Sequence, residues 1–460
     1  MSVAETFIEE DGFGLVPRPD RNKYNKPFEI VRRYTMTNKH KASVQLISWG
    51  AGIQAIKVPN QSGILGDVVL GFDDMKGYLK NRYIGSIIGR VVNRISCAKM
   101  RIENKIYCLS PNDENGFDHF NGGFVGFDNV NWNSYIMKKH VVMSHVSPAK
   151  CEGYPGDMLT QIKYSWTDDN QLLMNIRATA TQPTPVNIAS NCLMNLAGHV
   201  KLLLTLPTIL FNSFNSVCTT LSYFLLMQHG YNFIMFKSLF YLLNPSFQNA
   251  SLNLAAGSRE LKKHLISLNA DSWTPADIRN NLPTDAIYPV DRTVFDLRLP
   301  TQLTKRRLYI VPGGGYNQNL CVNSPSSWSY RFHASFLLFS QRIIHPGSGR
   351  TLEVYSNHPG LQFSTGNDLP DPDCNYPPDF EDYCDCTDNE PKIKEQQKEI
   401  WGKDGVRYQR HGGFILSPQN YPDAVNISNF PPCILYPGQV YAHDVTYKFG
   451  LLSENLDTFT

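Results

Sequence analysis

Short stretches in which apolar and polar residues alternate recur along almost the whole chain. The first, ASVQLISWGAGIQAIKV (42–58), alternates, breaks at Gly50 and Gly52, and then alternates again. A period of two residues is typical of a strand with one buried face, and long helical periodicity is almost absent. The pattern predicts an all-β fold, a large antiparallel β-sandwich, with residues 1–460 as a single domain. Similar pieces follow at LTQIKYSW (159–166), LLMNIRATAT (172–181), RTLEVYSN (350–357), LQFSTG (361–366) and VYAHDVTYKFG (440–450).

The charge balance and the cysteine content narrow the class of protein. The chain has 460 residues, with 43 Lys and Arg against 41 Asp and Glu, so no nucleic-acid partner is expected. Its 10 cysteines lack the close spacing of a small disulfide-rich domain and indicate reduced thiols. The start, MSVAETFIEEDGFG, is acidic where a secretory signal has a basic flank, so we expect a cytoplasmic protein.

Residues 200–258 differ from the rest of the chain. They contain no acidic residue, and Lys201 and Lys237 are their only formal charges. A membrane segment is one interpretation, but the apolar piece 202–214 is too short to span a bilayer and 221–243 contains several polar side chains. A folded apolar insertion is a second interpretation. We favour a third, retained non-coding sequence such as an intron, because pyrimidine-rich codons encode this mixture of Phe, Leu and Ser.

Residues 368–407 are a second unusual segment, acidic and Pro-rich at first and rich in Lys and Glu later. This composition predicts a long acidic and polar surface loop. Cys374, Cys384 and Cys386 lie among carboxylates there. A single CxC without a paired CxxC or His is a weak zinc signal, so no metal is expected.

Several separated motifs together resemble the aldose 1-epimerases, or galactose mutarotases. The resemblance covers most of the chain outside the segments already described. It implies a β-sandwich of the galactose mutarotase type that binds a hexose such as galactose or glucose in an open cleft, with a monomer as the family default. In chain order the motifs are DVVLGFDDMKGY (67–78), IIGRVVNRI (87–95), NGGFVGFDNVNW (121–132), EGYPGDM (152–158), TPVNIASNCLMNLAG (184–198), VFDLR (294–298), SGRTLEVY (348–355), PGLQFSTGN (359–367), HGGFILSPQNYPDAVN (411–426) and FPPCILYPGQVY (430–441).

The reaction that the resemblance implies is the interconversion of the α and β anomers of an aldose. Opening the ring requires a base to take the proton of the anomeric hydroxyl and an acid to protonate the ring oxygen, and closing it requires the reverse. In the family a Glu is the base and a His the acid, while a second His and an Asp hold sugar hydroxyls. Anomerisation moves protons without redox or phosphate chemistry, so no cofactor is expected.

The binding positions of the family survive in part, whereas the proton carriers do not. Asn93 and Arg94 complete the GR-x-x-NR motif, and Gln362 matches the Gln of PG-x-QF-x-TGN. We expect all three to bind substrate, because amide and guanidinium groups suit sugar hydroxyls. The four ionisable positions of the family are changed: the acid falls on Asn191, the base on Ser417, the second His on Asn121 and the Asp on Asn317.

Each substituted position has an alternative interpretation. Asn121, Asn191 and Asn317 are also the kind of residue whose amide satisfies turn backbone groups, in which case they do not contact sugar. His119 is a candidate substitute for the missing acid. If the segment is extended, His119 and Asn121 point to the same face about 6–7 Å apart, so its imidazole would reach the cleft.

Three functions therefore follow from the sequence. The first is an aldose 1-epimerase-like carbohydrate-binding protein of hexose metabolism that is catalytically impaired, because an amide has no accessible pKa and an unactivated Ser hydroxyl is a poor base. The second is an active aldose 1-epimerase with relocated acid and base groups. The third, from another class, is a scaffold or interaction protein that uses the sandwich surface and the 368–407 loop.

Overall fold

A computed structural model describes residues 6–18, 27–199, 259–277, 281–323, 338–371 and 399–452. Strands dominate these residues, and the only α-helices among them are α1 (Met75–Lys80) and α2 (Lys305–Ile310). Asp74 caps the start of α1, where its carboxylate accepts a hydrogen bond from Gly77 N at 2.9 Å. The all-β prediction is thereby confirmed.

Each alternating stretch of the sequence forms one or two strands, and the described residues contain further strands. In chain order they are β1 (Phe7–Pro17), β2 (Phe28–Thr37), β3 (Ser43–Ile47), β4 (Gly52–Pro59), β5 (Leu65–Asp67), β6 (Ile87–Ile88), β7 (Arg94–Ile95), β8 (Lys99–Ile102), β9 (Lys105–Cys108), β10 (His119–Phe120), β11 (Asn133–Met137), β12 (His140–Ser147), β13 (Met158–Trp166), β14 (Gln171–Ala180), β15 (Thr184–Pro185), β16 (Ala189–Ser190), β17 (Leu193–Met194), β18 (Leu265–Leu268), β19 (Ala270–Thr274), β20 (Tyr288–Pro289), β21 (Thr301–Gln302), β22 (Asn317–Val322), β23 (Leu338–His345), β24 (Arg350–Ser356), β25 (Gly360–Ser364), β26 (Ile400–Trp401), β27 (Arg407–Tyr408), β28 (Phe414–Gln419), β29 (Ile434–Leu435) and β30 (Tyr441–Leu451).

Three large antiparallel sheets build the sandwich. A five-stranded sheet has the order β1-β2-β3-β4-β5, a nine-stranded sheet the order β11-β12-β13-β14-β30-β24-β23-β18-β21, and a six-stranded sheet the order β17-β28-β25-β22-β19-β20. Their apolar faces meet in one large cluster of buried side chains, to which Tyr34, Ile162 and Phe363 contribute from the three sheets respectively. Burial of this apolar surface is the main force that holds the sheets together.

The six-stranded sheet turns one polar face away from this core. Strand pairing sets four residues of β28, β25, β22 and β19 directly opposite one another: Ser417, Gln362, Asn319 and Thr274. We call these four residues the polar row. Successive residues of a strand point to opposite faces of the sheet. The residues that precede or follow the polar row along each strand are therefore expected to point into the core. Four of these neighbours are apolar and almost fully buried: Leu320, Leu361, Phe363 and Leu416.

The two borders of the 200–258 segment lie close together. Leu196 N donates a hydrogen bond to His264 Nε2 at 3.0 Å, and Ser348 Oγ donates one to the carbonyl oxygen of Leu196 at 3.0 Å. The interpretations of 200–258 themselves fall outside the described residues. Among the residues that are described, no helix is long and apolar enough to cross a membrane.

Both described ends of the 368–407 segment pack against the protein. Leu369 lies in a buried cluster with Phe72 and Tyr408. The Lys403 ammonium donates to Asp67 Oδ2 at 2.5 Å and to the carbonyl oxygen of Gln54 at 2.8 Å. The surface-loop prediction covers 368–407, and the middle of that segment, 372–398, lies outside the described residues together with its three cysteines.

Candidate functional site

A cleft of about 510 Å³ opens over the polar face of the six-stranded sheet. The sheet forms one wall, and the loops around residues 83–94 and 112–121 form the other. All seven residues to which the sequence assigns family positions line this cleft, although they are spread over more than 300 residues of chain: Asn93, Arg94, Asn121, Asn191, Asn317, Gln362 and Ser417.

Two hydrogen bonds fasten Asn93 to Asn121. Asn93 N donates to Asn121 Oδ1 at 2.8 Å, and Asn121 N donates to the carbonyl oxygen of Asn93 at 2.9 Å. Gly122 follows with φ of 84°, and a Cβ there would lie 1.8 Å from the carbonyl oxygen of Gly89. A residue with a side chain cannot replace Gly122 without moving the backbone, so the double glycine shapes the loop that carries Asn121.

Gln362 joins both walls of the cleft. Its Nε2 donates to Asn317 Oδ1 at 2.8 Å, and its Oε1 accepts a long hydrogen bond from Asn93 Nδ2 at 3.4 Å. The amide of Gln362 therefore orients two further amides toward the same space. Such a set offers both donors and acceptors, which is what a ligand with many hydroxyl groups requires.

Asn191, at the predicted acid position, is held by backbone groups. Its Nδ2 donates to the carbonyl oxygen of Tyr83 at 3.1 Å, and its own N–H donates to the carbonyl oxygen of Ser86 at 2.9 Å. Asn121 and Asn191 thus satisfy backbone groups, as the alternative interpretation predicts, and also line the cleft. An amide in this place donates and accepts hydrogen bonds but transfers no proton near neutral pH.

Arg94 adds a positive charge beside an aromatic surface. Its guanidinium carbon lies 4.7 Å from the centroid of the Phe120 ring, in cation–π geometry. Phe120 in turn packs edge to face on Tyr83, with ring centroids 5.8 Å apart. Burial raises the pKa of Tyr83 above its ordinary value, so its hydroxyl stays protonated and acts as a hydrogen-bond donor or acceptor.

His119 lies away from the cleft. It is fully buried, its Nδ1 lies 2.7 Å from the carbonyl oxygen of Ser110, and its Nε2 lies 2.7 Å from the Tyr154 hydroxyl. The extended segment assumed for its reach ends at Phe120, because Asn121 has φ of 49°. Burial lowers the pKa of His119, so the ring stays neutral. This geometry gives no support to His119 as a substitute acid.

Three carboxylates that sequence reasoning missed also line the cleft: Asp113, Glu114 and Asp368. Desolvation, and after it the charge of Glu114, raises the pKa of Asp368, although the residue is exposed at the mouth. Burial opposes ionisation of Asp113, but backbone hydrogen bonds from Asp118 and Phe117 hold its pKa below the ordinary value. Among the described residues, none of the three carboxylates hydrogen-bonds Asn191 or Ser417.

The sequence contained one indication of these carboxylates, namely their position next to family motifs. Asp368 directly follows the STGN end of a family motif, and NDEN (112–115) precedes the double glycine. Both stretches are loops next to predicted site residues. Their inward placement depends on loop conformation, which alternation of apolar and polar residues does not specify.

Arg90, the first arginine of the GR-x-x-NR motif, is buried and has a structural role, unlike Asn93 and Arg94, which line the cleft. It is 1 % exposed and its guanidinium donates to the carbonyl oxygens of Pro155, Gly156, Ser147 and Pro148 at 2.8–3.2 Å. Burial lowers the pKa of Arg90 to about 10. This arginine ties the EGYPGDM motif to the strand that leads to Asn93.

The chemistry of the described residues does not suggest a metal centre. Within the described ranges, no group of three or more His, Cys, Asp or Glu side chains is arranged to hold a metal ion. The cysteines there are unpaired thiols, and burial raises the pKa of Cys192, next to Asn191, to about 12. Cys192 therefore stays protonated and packs as a small apolar side chain.

Solved structures with the same fold are similar to this chain over most of its length. The GalM/aldose epimerase homologue from C. elegans superimposes with a TM-score of 0.64 at 20% identity, over 90% of this chain and 97% of that one. Galactose 1-epimerase from Lactobacillus acidophilus NCFM gives 0.63 at 16% identity, over 98% and 100% respectively. At these identities the likeness shows the fold, and it confirms the galactose mutarotase-like sandwich.

Sequence comparison shows the family. Galactose mutarotase from Rattus norvegicus is 33% identical over 410 residues, covering 89% of this chain and 91% of that protein. Aldose 1-epimerase from Escherichia coli (strain K12) is 30% identical over 428 residues, covering 92% and 96%. The sequence model described as aldose 1-epimerase matches residues 32–211 and 249–448. The chain therefore belongs to the aldose 1-epimerase family.

Proposed function

We propose that this protein binds a hexose in the cleft and is impaired in interconverting its anomers. The observation that carries the proposal is the amide lining of the cleft, in which Gln362 links Asn317 to Asn93. Asn191 and Ser417, to which the sequence motifs assign the family's acid and base positions, line the same cleft. The names of the relatives, galactose mutarotase and aldose 1-epimerase, point to an aldose such as galactose as the ligand. The resemblance of the sequence motifs adds glucose as a candidate and a place in hexose metabolism.

The binding half of the proposal follows from the donors and acceptors of the cleft. A hexose carries several hydroxyl groups, each of which donates and accepts, and amides offer both functions without a fixed charge. Arg94 supplies further donors beside the apolar ring of Phe120, against which the C–H face of a pyranose packs. Ligand binding therefore does not require the four ionisable groups that are missing.

The impairment half follows from proton transfer. Ring opening moves one proton from the anomeric hydroxyl and another to the ring oxygen, and each positioned acid or base typically contributes about 10²–10⁴-fold. Neither Asn191 nor Ser417 titrates near neutral pH. A protein that lacks both carriers should leave mutarotation close to its rate in buffer.

Calorimetric titration with D-galactose and D-glucose tests the binding half. We expect the parent protein to bind one of them with millimolar affinity and Gln362→Leu to weaken binding about tenfold, the equivalent of one lost hydrogen-bonding amide. Gln45→Leu is the matched control, because Gln45 lies in the five-stranded sheet and hydrogen-bonds Thr35 at 3.2 Å outside the cleft. Absence of binding by the parent up to roughly 50 mM of either sugar would refute the proposal.

A second candidate function is an active aldose 1-epimerase with relocated proton carriers. The observation that favours it is Asp368, a cleft carboxyl whose pKa is raised mainly by desolvation and so shifted toward that of a useful general acid. If Asp368 serves in this way, the parent accelerates mutarotation with a bell-shaped pH profile, and Asp368→Asn removes one limb of it. A parent rate equal to buffer at every pH would exclude this candidate.

A further inference from the structure

Strand β11 forms one edge of the nine-stranded sheet. Among the described residues it pairs only with β12, to which the two-residue turn of Lys138 and Lys139 joins it. Its last three side chains are apolar and exposed: Tyr135 is 46% exposed, Ile136 38% and Met137 43%. An edge strand with exposed apolar side chains is the kind of strand to which another chain adds.

The register with β12 shows which backbone groups of β11 point away from the sheet. Met137 and His140 flank the two-residue turn and pair with each other, so these two residues exchange hydrogen bonds, as does every second pair before them. Ser134 and Ile136 lie between those positions, so their N–H and C=O groups point outward along the edge. No residue of the described ranges supplies a backbone partner to either of them. The edge therefore offers two residues whose backbone donors and acceptors are free.

The other edges of the three large sheets are short or protected in the part of the chain that the structure describes. β5 has three residues, and β17, β20 and β21 have two each. β1 is long, but it has a bulge between Gly12 and Gly14 and carries three consecutive acidic residues, Glu9, Glu10 and Asp11. Bulges and charges on an edge strand oppose pairing with another edge. β11, with the sequence NSYIM, pairs without a bulge and contains neither a charged residue nor a proline.

The sequence of β11 is complementary to a second copy of itself. In antiparallel pairing about a two-fold axis at Ile136, the outward groups of the two Ile136 residues bond each other. Tyr135 of each copy then lies opposite Met137 of the other, and a ring and a thioether make a favourable contact across strands. Lys138 of each copy lies opposite Ser134 of the other. The two Lys138 residues are thus about 13 Å apart along the strands, beyond the Debye length of about 8 Å.

We propose that β11 is a dimerisation strand, through which two copies of this chain join their nine-stranded sheets by antiparallel pairing centred on Ile136. The dimer is independent of the proposed hexose binding, because the cleft opens over the six-stranded sheet. It departs from the monomer that is the family default. A pair of five-residue strands buries less surface than a permanent dimer requires, so the association is weak, with a Kd on the order of 100 µM.

Sedimentation velocity of the full chain between about 5 µM and about 1 mM tests the proposal. We expect the parent to change from monomer to dimer over this range. Ile136→Pro removes an N–H that takes no part in the pairing with β12, so the sheet tolerates it, and it should raise the Kd of the dimer at least about tenfold. Ile136→Val is the matched control, because it keeps both the N–H and a β-branched side chain, and its Kd should lie within about twofold of the parent value.

Two charge variants test the register. Ile136→Lys and Ile136→Glu each place like charges opposite one another at the two-fold axis, so each protein alone should remain monomeric. An equimolar mixture of the two should form dimers again, because Lys then lies opposite Glu. Leu159→Lys is the control for an added charge, since Leu159 is 49% exposed on the same sheet but lies in β13, away from the edge. It should leave the Kd unchanged, and thermal melting of every variant shows that it is folded.

Three outcomes would overturn the proposal. A parent that stays monomeric at about 1 mM has no dimerisation strand of the proposed strength. A dimer that survives Ile136→Pro uses another surface. A mixture of the Lys and Glu variants that stays monomeric, while the parent dimerises, excludes pairing centred on Ile136. None of these results bears on sugar binding, so the dimer and the proposed function fail separately.

Discussion

Replacement of Lys403 by Met tests how the C-terminal end of the 368–407 segment is fastened to the sandwich. The Lys403 side chain is 6% exposed and that of Asp67 is 10% exposed, and their charged atoms lie 2.5 Å apart. Asp67 also accepts hydrogen bonds from the backbone N–H groups of Ile56 and Val69, both at 3.1 Å. Lys403→Met therefore leaves a buried carboxylate without its cation but with two of its donors.

The magnitude follows from these contacts. Removing one partner of a buried pair typically costs about 3–5 kcal/mol, and we expect about 3 kcal/mol because Asp67 keeps its backbone donors. In a chain of 460 residues each kcal/mol lowers Tm by about 1 °C, so Tm should fall by about 3 °C. Asp67→Asn added to Lys403→Met should recover part of this loss, because an amide carries no unpaired charge and its oxygen still accepts both N–H groups.

The assay is thermal and urea unfolding of both variants beside a surface control. Lys39 pairs with Asp168 at 3.5 Å, but its side chain is 40% exposed, so Lys39→Met should cost less than about 1 kcal/mol. Equal stability of Lys403→Met and Lys39→Met would refute the reasoning from burial. A double variant that is less stable than Lys403→Met alone would also refute it.

Three other results are expected. His119→Ala should lower the free energy of unfolding by about 3 kcal/mol, because it removes a buried ring bonded at both nitrogens, while sugar affinity stays unchanged; altered affinity would return His119 to the site. Burial, followed by the charge of His345, lowers the pKa of His264 from 6.5 to about 3, so its contribution to stability is complete above pH 6.5 and is lost as the pH falls toward 3. Between pH 7 and 5 the free energy of unfolding, measured by urea titration, should fall less steeply with decreasing pH in His264→Gln than in the parent, by up to about 1.4 kcal/mol per pH unit. An equal pH dependence of the two proteins would contradict the assignment. A transcript should join the region near His199 directly to the region near Arg259, and detection of the peptide YNFIMFK (231–237) by mass spectrometry would overturn the non-coding interpretation.

The family match is interrupted in the same region, as both a folded insertion and non-coding sequence predict. The match stops at residue 211 and resumes at 249, and the unmatched residues fall inside 200–258. The described flanks meet through the hydrogen bond from Leu196 to His264. Removal of 200–258 should therefore leave the melting temperature and sugar affinity of the protein unchanged.

Alternation of apolar and polar residues was sufficient to predict the strands, whereas the place of Gln362 in the cleft was predicted from the resemblance to the family. In GLQFS (360–364) alternation places Leu361 and Phe363 in the core and Gln362 on the other face, as found. This pattern is informative because one face of the strand is buried. A shift of one residue in the strand register would turn the apolar side chains from the core to the other face.

The remaining features of the site depend on backbone conformations that alternation does not encode. A positive φ at Asn121 ends the strand that was expected to carry His119 to the cleft, and His119 is buried instead. Asp368 lines the cleft although it lies outside the strands of the sheet.

Polarimetry of freshly dissolved α-D-glucose and α-D-galactose tests the central claim most directly. The parent protein is compared with buffer and with the double variant Ser417→Glu, Asn191→His, which returns a carboxylate and an imidazole to the two family positions in the cleft. We predict that the parent matches buffer and that the double variant accelerates the decay of optical rotation, because the variant supplies a carboxylate and an imidazole as proton carriers. Acceleration by the parent itself would contradict the account and show that other residues carry the protons.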